Sequence, residues 1–174
     1  MKLTKEEKDR LEEIYQYFLN DQKVMRMKAV PMHRGSNCYE HSFKVAKKAI
    51  KHGLRRINKE KIDLEVILVG AILHDYYLYD WRSDRSKRKR HCHNHPDIAV
   101  ANAVKDFAIS KKVQRVIETH MWPIKFKDYP NSKEARIVSV SDKMVTIGEA
   151  FTSIKYKQKK REKFLSYISK LFDN

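Results

Sequence analysis

The sequence predicts an all-α chain of about six to eight helices. Three observations carry that expectation. Gly and Pro number only four each, too few turn-formers for a sandwich or barrel of many short strands. Apolar residues recur at helical spacing in nearly every segment. The one stretch that is apolar all round, Val66 to Leu73, has no second such run to pair with as a buried strand, so helix is preferred over the parallel strand that so short a run also allows.

Each element has a local signal. Thr4 and Glu7 have capping-box spacing, and Leu11, Ile14, Tyr15 and Phe18 follow on one face, which predicts a helix over 4–20. Residues 21–35, with Pro31 and Gly35, read as a loop. Ser36 is placed to cap a second helix that ends near Gly53, with Cys38, Ser42, Val45, Ala46 and Ala49 as its inner stripe and His41 within it. Asp63 caps a third, from Leu64 to about His74. Residues 76–94 read as a polar loop holding a basic block, Arg82, Arg85 and Lys87 to Arg90. Pro96 suits the first position of a fourth helix reaching about Phe107. Ser110 caps a fifth, whose inner face runs Val113, Val116, Ile117 and His120. Pro123 and Pro130 bracket a loop, and Ser132 opens a sixth helix with Ala135, Val138, Ser141, Val145 and Gly148 on one face and Asp142 beside them. A last helix, 151–172, is basic in its first half through Lys155, Lys157, Lys159, Lys160, Arg161 and Lys163. Length fits one domain over 1–174, with 4–20 and 151–172 as additions to a core at about 30–150.

Lys and Arg total 38 against 22 Asp and Glu, a net charge of +16. That balance favours anionic partners (phosphates, nucleotides or nucleic acid), although a solvated lysine-rich surface gives the same composition. Cys38 and Cys92 stand far apart, so neither a disulfide framework nor a CxxC site is expected. The first ten residues, MKLTKEEKDR, lack the apolar run of a signal peptide, and no apolar stretch is long enough to span a bilayer. A cytoplasmic setting without a membrane partner is the expectation.

The chemistry lies in polar residues on apolar faces. His41 interrupts an inner stripe, His74-Asp75 closes the most apolar helix, and Asp142 lies on an inner side. Burying such groups is costly unless they are paired or metal-bound. Each alone has a structural reading: a core histidine bonded to a carbonyl, a helix-end cap, a satisfied carboxylate. In chain order, the pattern H…HD…D resembles the HD superfamily of metal-dependent phosphohydrolases. The flanks EHSFKVAKKA, VGAILHD and IVSVSDKMVT extend the resemblance over roughly 30–150. The stretches LHDYYLYDW, NHPDIAVANA and THMWP look like an uncharacterised bacterial branch of it.

The resemblance implies a helical domain with His41, His74, Asp75 and Asp142 around one divalent ion. His95 and His120 match the extra histidines of the dinuclear subgroup, which implies a second ion bridged through Asp75. Imidazole and carboxylate ligands suit Fe, Mn, Co, Ni or Zn, with Mg as a further candidate. The implied function is hydrolysis of a phosphate ester or anhydride in a nucleotide-like substrate, by a water that the metal activates to hydroxide. Related six-ligand enzymes cleave dinucleoside polyphosphates or cyclic dinucleotides, and the Gly-Tyr-Pro tripeptide of the latter is absent here. Asp75 and Lys143 are the candidate catalytic residues, and Arg34, His33 and Lys143 the candidates for binding substrate. His91 and His93 read as loop histidines, and His52 as a surface residue matched to a helix dipole. Two other functions compete: a basic nucleic-acid-binding protein using blocks 82–90 and 155–163 with Trp81, Tyr76 and Tyr77, and a degenerate HD domain kept as a sensor without turnover.

Overall fold

A computed structural model describes residues 3–32, 36–57, 61–83 and 85–172, and only the backbone of residues 85–87 and 153–172. The chain is all-α. Its helices are α1 (Lys5–Asn20), α2 (Gln22–Met25), α3 (Cys38–Arg56), α4 (Leu64–Leu73), α5 (Arg85–Phe107), α6 (Lys111–Thr119) and α7 (Lys133–Phe172). Among the described residues there is no strand, only an isolated bridge between Pro31 and Asn37.

The apolar run becomes the centre of the bundle, as its all-round hydrophobicity requires. Asp63 caps α4 by accepting from the Val66 amide at 3.2 Å, and α1, α3, α6 and α7 all pack on the helix. Gly70 sets how closely α6 approaches: a Cβ there would lie 2.6 Å from Cγ1 and 3.0 Å from Cβ of Val116, and a β-branched residue has little rotamer freedom to give way. The Thr4–Glu7 capping box at α1 is present in both directions.

Several boundaries differ from the sequence expectation. The stretch expected as a loop at 21–35 holds α2 and a 3-10 turn at Arg26–Ala29, because Asp21 accepts from the amides of Lys23 and Val24. Asn37, not Ser36, caps α3, taking the Glu40 amide at 2.9 Å, and the helix runs past Gly53 to Arg56.

Helix α5 starts at Arg85, so the supposed loop 76–94 is helical over its second half and Pro96 lies inside a helix. The extra turns are polar and carry no periodic signal. Tertiary contacts hold them: His91 stacks on Trp81 at 5.1 Å, and the Tyr79 hydroxyl meets His91 Nδ1 at 2.9 Å. The two helices expected on either side of residue 150 are a single helix, α7. No proline interrupts it, and the exposed Gly148 costs only about 1 kcal/mol in a helix interior. No helix among the described residues is long and apolar enough to cross a membrane.

Candidate metal centre

Five helices deliver six polar side chains to one buried point. His41 comes from α3, His74 and Asp75 from the end of α4, His95 from α5, His120 from the end of α6 and Asp142 from α7. None is more than 8% exposed. The helix ends project His74-Asp75 and His120 beyond the packed turns, while His41, His95 and Asp142 replace apolar residues on inward faces.

Asp75 stands between two sets of imidazoles. Its Oδ2 lies 3.3 Å from His74 Nε2 and 4.0 Å from His41 Nε2. Its Oδ1 lies 3.2 Å from His95 Nε2 and 3.7 Å from His120 Nε2. Asp142 Oδ1 closes the first set, at 3.1 Å from His41 Nε2 and 3.7 Å from His74 Nε2. Three overlapping triads, His41–His74–Asp75, His74–His120–Asp142 and Asp75–His95–His120, each bring their ligand atoms within 4.8 Å of one another.

The tautomers follow from the outer hydrogen bonds. Nδ1–H of His74 donates to Ala71 O at 2.8 Å, that of His95 to His91 O at 2.9 Å, and that of His120 to Ile117 O at 2.7 Å. Each ring therefore presents Nε2 inward, as metal-binding histidines do. Among the described residues, His74 Nε2 is fully buried with no hydrogen-bond partner. His95 Nε2 and His120 Nε2 face each other at 2.9 Å. Two lone pairs at that distance require a cation between them. Cis ligands on an ion with bonds of about 2.1 Å stand about 3 Å apart. The residues fit a metal.

The electrostatics agree. Burial opposes charge on His74 and His41, yet the Asp75 and Asp142 carboxylates raise His74 well above its ordinary range, and those of Asp142 and Glu149 raise His41 to about 9. Burial and the charges of His74 and His95 push His120 down to about 3. Asp75 and Asp142 are held well below the usual carboxylate range, burial notwithstanding, by the surrounding imidazoles. The cavity selects for positive charge, whether from protons or from an ion.

The remaining expected residues have mixed locations. Lys143 Nζ donates to His120 O at 2.9 Å and to Ser139 O and Oγ at 3.2 and 2.8 Å, so its ammonium is engaged behind His120. His33 and Arg34 lie outside the described residues, as do the side chains of the basic block at 155–163. Within the block at 82–90, Arg82 bonds Met32 O and covers Trp81, while Arg88, Lys89 and Arg90 are exposed on α5. Tyr76 and Tyr77, grouped with the basic blocks in the nucleic-acid-binding alternative, are core residues at 0% and 2% exposure. His91 lies on α5, stacked on His95 at 4.6 Å, rather than in a loop. His52 is half-buried against Ser141 Oγ at 3.0 Å, so it does more than match a helix dipole.

One residue escaped the sequence reading. Glu149 Oε2 accepts from His41 Nδ1 at 3.1 Å, and its Oε1 accepts from Lys44 Nζ at 2.8 Å. Its signal was spacing: it lies two turns after Asp142 on the same face of α7.

An all-α bundle converging buried histidines and aspartates on one point defines a class of helical metal-site proteins. A sequence model of the HD domain matches residues 38–147, and the chain belongs to the HD-domain family, whose superfamily is that of metal-dependent phosphohydrolases. No curated protein and no solved structure matches the chain.

Proposed function

We propose that the chain is a phosphohydrolase that uses two divalent ions to cleave a phosphate ester or anhydride in a nucleotide-like substrate. The observation that carries this reading is the division of Asp75, one carboxylate oxygen toward His41 and His74 and the other toward His95 and His120. His41, His74, Asp142 and Asp75 Oδ2 would hold one ion, and His95, His120 and Asp75 Oδ1 the other. When bound, the ions supply a water acidified enough to attack phosphorus and neutralise charge on the phosphoryl oxygens.

The protein's own part is to aim and hold the ligands. Backbone carbonyls fix the Nε2 lone pairs of His74, His95 and His120, and Glu149 orients His41. Lys143 acts as a positioning residue, steadying the peptide carbonyl of His120. The donors are imidazole and carboxylate only, which favours Fe, Mn, Co, Ni or Zn over Ca. Cys38, buried against the Tyr77 hydroxyl at 3.0 Å, and the exposed Cys92 stay outside the cluster.

The test is metal analysis of chain purified without added metal, followed by a screen of phosphatase, pyrophosphatase and phosphodiesterase substrates with each ion. Asp75→Ala is the control. It should lose most bound metal and at least about 10³-fold in turnover, about 4 kcal/mol of transition-state stabilisation, with an unchanged helical spectrum. Full turnover in this variant would overturn the reading.

A further inference from the structure

A cleft of about 590 Å³ lies on the far side of α7 from the metal centre. Arg136, Val140 and Met144 form one ridge of that helix, and Asp142 projects from the opposite side. The end of α3 and the 122–130 segment form the other walls. The volume is that of an ordinary small-molecule site.

Its charge is one-sided. Arg55, Arg56 and Arg136 line it, and among the described residues no carboxylate does. The other described clefts all contain acids: Glu13, Asp63 and Glu65 in one, Glu7 and Glu134 in a second, Glu12 in a third. None of the three arginines forms an ion pair among the described residues, whereas Arg10, Arg115 and Lys125 do. His52, also in the wall, registers this field: burial, then Lys48, Arg55, Arg56 and Lys51, lowers its pKa. Like charges gathered without a counter-charge are an electrostatic cost that an anionic ligand relieves.

The cleft is also aromatic and apolar. Trp122 and Tyr129 meet edge to face at 5.4 Å, and Tyr129 is 49% exposed. Val140 and Met144, at 51% and 46% exposure, present an apolar wall beside the guanidinium groups. A small inorganic anion has no use for that surface. An aromatic ring carrying a phosphate uses both halves, by stacking and by charge-assisted hydrogen bonds to arginine.

We infer that this cleft binds a nucleotide unit, its phosphate on Arg55 and Arg56 and its base against Trp122, Tyr129 and the Val140–Met144 wall. The unit comes from a free mononucleotide or from a single-stranded nucleic acid, which share this chemistry. Bound ligand would touch the backing of the metal centre, since Ser139 Oγ lies 2.8 Å from His120 O and 3.5 Å from Trp122 O.

The chain has two tryptophans, so Trp81→Phe leaves Trp122 as the sole reporter. With chelator present, this variant is titrated with adenosine monophosphate, adenosine, inorganic phosphate and a short single-stranded oligoadenylate. Adenosine monophosphate should change Trp122 emission saturably with a Kd below about 1 mM, with adenosine and phosphate at least about tenfold weaker. Arg55→Gln/Arg56→Gln should raise that Kd by about tenfold or more. Both arginines are exposed, so the change removes no packing, and Arg136→Gln is a second, independent variant. A strand binding more tightly than the mononucleotide identifies the strand as the source, and equal affinity identifies the free nucleotide. No saturable response to either at about 5 mM, phosphate binding as tightly as the nucleotide, or unaltered binding in both arginine variants would overturn the inference.

Discussion

Glu149 Oε2 lies 3.1 Å from His41 Nδ1, joining two residues 108 positions apart in the chain. Lys44, one turn beyond His41, binds the other carboxylate oxygen at 2.8 Å. The carboxylate fixes the orientation of the His41 ring while Nε2 points toward Asp142 and Asp75.

Glu149→Ala should therefore weaken metal binding by about 10- to 100-fold, the usual effect of removing an outer hydrogen-bond partner of a ligating histidine. Glu149→Gln, which keeps an acceptor but not the charge, should recover part of the loss. Chelator-competition titrations give the affinities. Equal affinity in all three proteins would show that Glu149 pairs with Lys44 alone.

The core of the candidate site was legible because its residues interrupt apolar faces. His41 lies within the α3 stripe, His74-Asp75 ends the most apolar segment, and His120 extends the Val113–Val116–Ile117 face. Glu149 was not legible because its surroundings look like solvent. Gly148 and Ile147 beside it are exposed, and among the described residues the carboxylate finds its partners through the long-range contact with α3. The start of α5 was hidden for a related reason. Its first turns are polar and depend on aromatic contacts from residues 77–81 rather than on periodicity. Pro96 then reads as a helix start, although a proline inside a helix is tolerated where neighbouring contacts hold the turn.

In the proposed site, metal and protons would compete for His41, which would set a pH dependence. Despite burial, the carboxylates of Asp142 and Glu149 raise its pKa from 6.5 to about 9. A folded-state pKa above the unfolded one stabilises the metal-free chain fully below pH 6.5, and that contribution is lost as the pH rises through about 9. A bound ion requires the deprotonated ring, so metal affinity changes in the opposite direction. The gap in Tm between metal-loaded and chelator-treated protein should widen by several degrees between pH 6 and pH 9. Thermal unfolding at both limits measures it, and a narrowing gap would exclude His41 as a ligand.

Arg88, His91 and His95 share one face of α5, which places Arg88 about 10 Å along the helix axis from His95. With Lys89 and Arg90 also exposed, this face can draw an anion toward the site. Replacing all three with Gln should lower kcat/KM several-fold at low salt and leave kcat within about twofold, with the difference fading by about 0.5 M salt. A salt dependence identical to that of the unaltered chain would assign the block to surface solvation.

In the proposed site, the number of ions would depend on His95 and His120. Their Nε2 atoms are 2.9 Å apart, and both Nδ1–H groups are committed to carbonyls. His120, pushed down to about 3 chiefly by burial, gives up a proton readily and offers its lone pair to a cation. Asp75 Oδ1 completes a triangle with them while Oδ2 faces the other pair. One ion at the His41–His74–Asp142 position would leave this second triangle uncompensated, at the desolvation cost of buried unpaired polar groups. The double variant His95→Ala/His120→Ala should therefore bind one ion per chain where the unaltered protein binds two, and turnover should fall by at least about 10²-fold. Metal analysis after dialysis against buffered metal gives the stoichiometry, and the helical spectrum reports the fold. The milder His95→Gln keeps more of the side-chain volume if the alanine pair is too unstable. One ion in fully loaded unaltered protein, or two in the variant, would refute the dinuclear assignment.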